Sequence, residues 1–205
     1  MKKNVKRIIA LLMVITMILS LTACGEIKKA EATINNTFAA LKALDFDTAA
    51  TYLNLDDIMT TDDAEESLDL DKNLFMESIF GKLSHEIISS EKVDENTVIV
   101  KTKISTIDMK PVIGDYFSKA LQYAFASAFA DPQPTEEETT KKMTDLFIEC
   151  ISKENLAMVS NEVDIRVVKV DDSWKIESEN ELSNALLGGL LIALEELSNS
   201  FANAD

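Results

Sequence analysis

Glycine and proline are scarce in this chain of 205 residues, at 5 and 3, so no low-complexity linker divides it. Histidine occurs once, at His85, and cysteine twice, at Cys24 and Cys150. A metal centre built from clustered His and Cys is therefore not expected. Basic residues cluster only at the extreme N-terminus, as Lys2, Lys3, Lys6 and Arg7. Taking those four positive charges off a formal net charge of −16 leaves −20. So acidic a surface speaks against nucleic acid as a partner and against electrostatic adhesion to anionic lipid, because both need clustered Lys and Arg. No glycine pattern that cradles phosphate is present, and no nucleophile elbow. The acidic run over 62–71 lacks the ordered glycine and closing glutamate of a calcium loop and reads as a solvated loop. The apolar run Ile8 to Leu19 is too short for a bilayer span, which takes roughly 20 residues.

What is present is an ordinary globular composition, 46% hydrophobic and 27% charged, enough to fill a core. The N-terminus reads in three zones. A basic n-region is followed by the apolar stretch Ile8 to Leu19, broken only by Thr16, and then by Leu21-Thr22-Ala23-Cys24. This order fits a signal peptide, with Ala23 as the small residue before the cut. The four-residue ending resembles the lipobox of bacterial lipoprotein precursors. That resemblance implies cleavage between Ala23 and Cys24, diacylglycerol on the Cys24 thiol and an extracytoplasmic domain held to the cell membrane. Two acyl chains anchor stably where one does not. The expected division is a signal peptide over 1–23 and one α+β domain over 24–205. With Cys24 lipidated, Cys150 has no disulfide partner in the chain, and its apolar helical setting reads as a buried core thiol.

Periodicity predicts a helix from Gly25 to about Leu44, with Ile34, Phe38, Leu41 and Leu44 on one face. Asp47 is the expected cap of a short second helix. Leu74 to Phe80 reads as another helix, ended by Gly81. Leu83 to Val93 and Thr97 to Met109 read as a β-hairpin. Residues 111–153 read as an inserted helical hairpin, broken at Asp131-Pro132-Gln133-Pro134. The long aromatic stripe of its first arm is expected to be core or hairpin packing. Thr135 and Glu138 form a capping box for the second arm. Alternation returns at Val163, Ile165 and Val167 and, after an Asp171-Asp172-Ser173 turn, at Trp174 and Ile176. A leucine-rich helix is expected over 181–201. Its run Leu186, Leu190, Leu194 reads as packing against the sheet or against a second copy, which makes a homodimer through this helix one open reading. Gly188-Gly189 weakens such a helix but permits close approach.

The stretch Thr33 to Leu53 is similar to the opening of small bacterial lipoproteins with a nuclear-transport-factor-two-like, or cystatin-like, domain. The ending Val167-Val168-Lys169-Val170-Asp171-Asp172-Ser173-Trp174-Lys175-Ile176 is similar to that family's last hairpin. The resemblance implies N-terminal helices packed on a curved antiparallel sheet that closes into a cone. The hairpin insertion and the C-terminal helix depart from the simplest version and resemble longer Gram-positive lipoprotein domains of unknown function. Such helices would fill or cover the sheet's concave face. Some enzymes of this fold use a buried Asp or a His–Asp pair as general base. His85, Asp108 and Asp164 are the residues that would have to meet for that, and no catalytic constellation is visible among them. The expectation is thus a membrane-anchored, non-enzymatic binding or scaffolding domain with no cofactor. A small apolar ligand or a protein is the partner class, and an isomerase- or hydratase-like enzyme is the alternative. No ligand-binding residue can be named from the sequence.

Overall fold

The computed structural model describes residues 25–55, 58 and 72–202. The expected signal peptide over 1–23, Cys24 and the acidic run over 62–71 lie outside them.

A first helix, α1, covers 25–42. Its buried residues Ala30, Ile34, Phe38 and Leu41 follow the helical repeat. Thr33 and Thr37 are buried on the same face, and each hydroxyl donates back to the preceding turn, to Lys29 O at 3.1 Å and Thr33 O at 2.8 Å. Leu44, at φ 58, turns the chain out of α1. The short helix α2 (Phe46–Ala50) follows, and its cap is Asp45, not Asp47. The Asp45 carboxylate accepts from the Thr48 amide at 3.0 Å and the Thr48 hydroxyl at 2.7 Å. Asp47 lies inside the first turn, where an acid favours the helix dipole but cannot cap. Helix α3 (Lys72–Phe80) precedes the sheet.

Four strands form one open antiparallel sheet in the order β1 (Ser84–Lys92), β2 (Thr97–Ile107), β3 (Met158–Val170), β4 (Ser173–Ile176). A bulge between Ile87 and Ser89 shifts the β1–β2 register. Strand β2 ends two residues before the expected Met109, because Asp108 accepts from the Lys110 amide at 3.1 Å and starts a helix. Pro111 is tolerated there, in a first turn whose amides have no partner within the helix. Strand β3 begins at Met158, five residues before the expected Val163. Residues 158–162 show no clean apolar alternation, yet they pair with 103–107 of β2. Between β2 and β3 stand α4 (Met109–Ala128) and α5 (Glu136–Ile151), packed on each other. The Thr135–Glu138 capping box is formed in both directions.

The expected helix over 181–201 is two helices. Helix α6 (Asn180–Leu186) packs on β2 and β3, and α7 (Leu190–Ala202) packs along α4. Gly188 and Gly189 have φ of 62 and 81 and break the run between them. The break aims both halves inward. Leu182, Leu186 and Leu190 are buried and Leu194 packs against the same core. The leucine face, expected to pack against the sheet or against a second copy, is thus used inside the molecule.

One face of the sheet carries the core. Val98, Val100 and Ile104 of β2 and Val163, Ile165 and Val167 of β3 are buried with Ile34, Phe38, Leu182 and Leu186 of the helices. Each such side chain contributes ~1.5–3 kcal/mol on leaving water. The opposite face is polar. Lys101 reaches Glu162 at 3.3 Å, and Arg166 reaches Glu177 at 2.7 Å. The result is α+β, with helices on one side of an open sheet.

Candidate functional site

Strand alternation separates the three residues that an enzyme of this kind would need together. His85 faces the core side of β1. Its Nε2 pairs with Asn35 Oδ1 at 2.8 Å, and its ring stacks on Phe38 with centroids 4.4 Å apart. Burial holds its pKa below the ordinary histidine value, because the imidazolium loses hydration. Asp164 points to the other face, exposed, between the buried Val163 and Ile165. Asp108 is occupied as the cap of α4 at the end of β2. No substrate can touch both faces of a sheet at once, so His85 and Asp164 cannot share one.

Cys150 is 1% exposed, as its apolar setting predicted. It is not isolated, however. Its thiol donates to Asp115 Oδ2 at 3.5 Å, across the packed α4–α5 pair. Burial and then that carboxylate push the thiol pKa up, which keeps it protonated and a poor nucleophile. Asp115 also accepts from the Lys153 ammonium, and this bond holds its carboxyl below the usual range. Lys119 pairs with Glu149 at 2.7 Å beside it. The cluster ties the arms of the hairpin together at its base. Sequence reading missed it, because Asp115 and Lys153 lie 38 positions apart.

Two surfaces beside residues that the sequence singled out are concave or apolar. The first is a groove of about 420 Å³ between α1 and the β3–β4 turn, lined by Lys29, Thr33, Asn36, Thr51, Tyr52 and Trp174 among others. It is shallow, and the Trp174 ring that borders it is 6% exposed. The second is the outer side of α4. The aromatic stripe expected to be packing divides in two. Val112 and Ile113 are buried and Tyr116 lies edge-on against Phe147 at 5.4 Å, but Leu121, Phe125 and Phe129 are exposed. Helix α5 is opposite the other side of α4 in this half, so no element among the described residues covers them.

No family model matches the chain, and no solved structure matches it. Among curated proteins it is similar to the bifunctional purine biosynthesis protein PurH of Lactococcus lactis subsp. cremoris, strains MG1363 and SK11. The similarity is 42% identity over 67 residues, 30% of this chain. The chain spans 13% of the length of these relatives. A match so short on both sides does not show a shared family. Among the described residues, no helix is long and apolar enough to cross a membrane.

Proposed function

We propose that the chain is a lipoprotein precursor, cut between Ala23 and Cys24 and anchored by lipid on Cys24 at the extracytoplasmic face of the cell membrane. The observation that carries this reading is Leu21-Thr22-Ala23-Cys24 placed after a basic start and an apolar run of signal-peptide length. Helix α1 covers 25–42, so the lipid on this reading lies within one or two residues of a folded element. The mature part, 24–205, is on the same reading a single non-enzymatic binding or scaffolding domain. Two observations favour that role. The core face of the sheet is filled with buried side chains, which leaves a protein partner favoured over a ligand held inside a cone. The acids and the histidine that an isomerase-like enzyme would use are dispersed. The helical opening over an antiparallel sheet and the last hairpin carrying Trp174 support the cystatin-like relationship.

The anchor is tested by Cys24→Ser in the full chain. The variant should remain uncut or leave the membrane fraction, and metabolic labelling with palmitate should be lost. Processing and membrane retention identical to those of the unaltered chain would refute the reading.

A further inference from the structure

The far half of α4 leaves the core. Leu121 is 42% exposed, Phe125 68% and Phe129 88%. The three recur every fourth residue and so form one ridge along the helix. The side turned towards the second arm is different and carries Tyr123, Ala126 and Ser127. Residues 120–130 carry no charge at all, in a chain whose formal net charge is −16. Single exposed apolar residues need no explanation, but three in a row do. With an aromatic side chain presenting ~200 Å² when free, the ridge offers on the order of 350–400 Å² of apolar surface to water.

We propose that this ridge docks against the same ridge of a second copy of the chain. Two observations select a second copy. The first is charge. Two such acidic molecules repel almost wherever they touch, and the eleven uncharged residues give a place where they do not. The second is area. Two ridges together remove about 700–800 Å² of side-chain surface, and the helix flanks between them bring the total towards the ~1,200 Å² at which specific interfaces begin. A pairing of like with like about a two-fold axis at Phe125 puts Phe125 opposite its own copy and Leu121 of each copy opposite Phe129 of the other. Ridges of every fourth residue interlock at a crossing angle of about −50°. Ala124 and Ala128, beside the ridge, let the helices come close. An interface of this size is weak in solution and gains from confinement to a surface. For that gain alone it rests on the lipid-anchor reading. A bilayer is the less favoured occupant, since Asp131, Glu136, Glu137 and Glu138 follow directly on the ridge and would have to approach the headgroups.

The test compares the full chain with a Phe125→Asp, Phe129→Asp variant, both in mild detergent at high micromolar concentration. Light scattering should give twice the chain mass for the first and the single mass for the second, a twofold fall. Both residues are exposed, so the circular dichroism spectrum should be unchanged. In intact membranes, Phe125→Cys should be joined to itself by a short bismaleimide, and Glu162→Cys on the outer face of the sheet should not. A single-chain mass for the unaltered protein overturns the proposal, as does a dimer that survives the double substitution. A monomer that floats with phosphatidylcholine vesicles through these two phenylalanines assigns the ridge to lipid and also overturns it. The detergent mass decides the pairing whether or not Cys24 is lipidated. Cys24→Ser fractionation decides the anchor separately.

Discussion

Gly188 and Gly189 are neighbours with the same unusual backbone sense, yet alanine at the two should have very different effects. Both have positive φ, and an L-residue in that region costs ~1–2 kcal/mol. At Gly189 that is the whole cost, because an added Cβ meets nothing within 4 Å. At Gly188 the added Cβ would lie 1.9 Å from the carbonyl oxygen of Ile107 and 3.3 Å from Thr106 Cγ2. A backbone oxygen at the end of the longest strand pairing cannot swing aside, so the α6–α7 joint has to lift off β2. The Met109 amide would then lose its bond to Gly188 O, now 2.9 Å, and the buried Leu187 and Leu190 would lose contact. Leaving a buried amide unpaired costs ~1–3 kcal/mol, and loosened leucine packing adds a similar amount. Gly188→Ala should therefore cost ~3–8 kcal/mol in total, a large part of the 5–15 kcal/mol typical of a domain. At roughly 2–4 °C per kcal/mol for a domain of this size, its Tm should fall by about 6–30 °C, against about 2–8 °C for Gly189→Ala. Thermal and urea unfolding followed by far-ultraviolet circular dichroism on both variants would read this directly. Equal losses at the two positions would refute the claim that backbone contact at Ile107, not helix propensity, makes glycine necessary at 188.

Thr135→Ala should remove the hydroxyl half of the α5 capping box, leave the backbone amide at 135 donating to the Glu138 carboxylate, and cost ~1 kcal/mol, read as a Tm lower by a few degrees with the hairpin still folded. The lone histidine gives one resolved imidazole signal in an NMR titration, and His85 should titrate below the ordinary value. The sign follows from linkage. The unfolded chain binds the proton more readily, so the contribution of neutral His85 is fully present above the unfolded pKa and is lost as pH falls towards the folded one. His85→Gln should flatten that part of the stability profile, and a histidine signal titrating at or above the ordinary value would contradict the burial argument.

How much was legible from the sequence depended on how local the cause was. The capping box at Thr135 and Glu138 spans four residues and was readable. So was the inward face of α1, where Ile34, Phe38 and Leu41 obey one period. The start of β3 was not, because residues 158–162 become strand only through pairing with β2, and the partner lies over fifty positions away. Asp45 and Asp47 are both plausible caps by type. The choice between them turns on the Leu44 backbone, at φ 58, which no propensity encodes. The C-terminal leucines showed the right period for helix but not the break at Gly188, and with one long rod in mind their buried face looked available to a partner. The stripe on α4 failed in the opposite direction. Apolar spacing announces a face that wants covering, and it does not say whether the cover comes from the same chain. For the site, the sequence placed His85, Asp108 and Asp164 on or next to strands. Only strand parity and the early start of α4 showed that they do not meet.

The bulge in β1 has a consequence for crowding. An open sheet leaves two rows of backbone donors and acceptors at its margins, and an unguarded margin is a template for another strand. Here β4 is four residues long and is partly covered by Leu53, while the Ile176 amide is already bonded to Tyr52 O at 2.7 Å. On the other margin, the bulge after Ile87 interrupts the flat run that a foreign strand would need, and Glu86, Glu91 and Lys92 put charge on either side of it. Molecules packed side by side are thus kept from zipping together through their sheets, so strand-to-strand polymerisation is blocked at both ends of the fold.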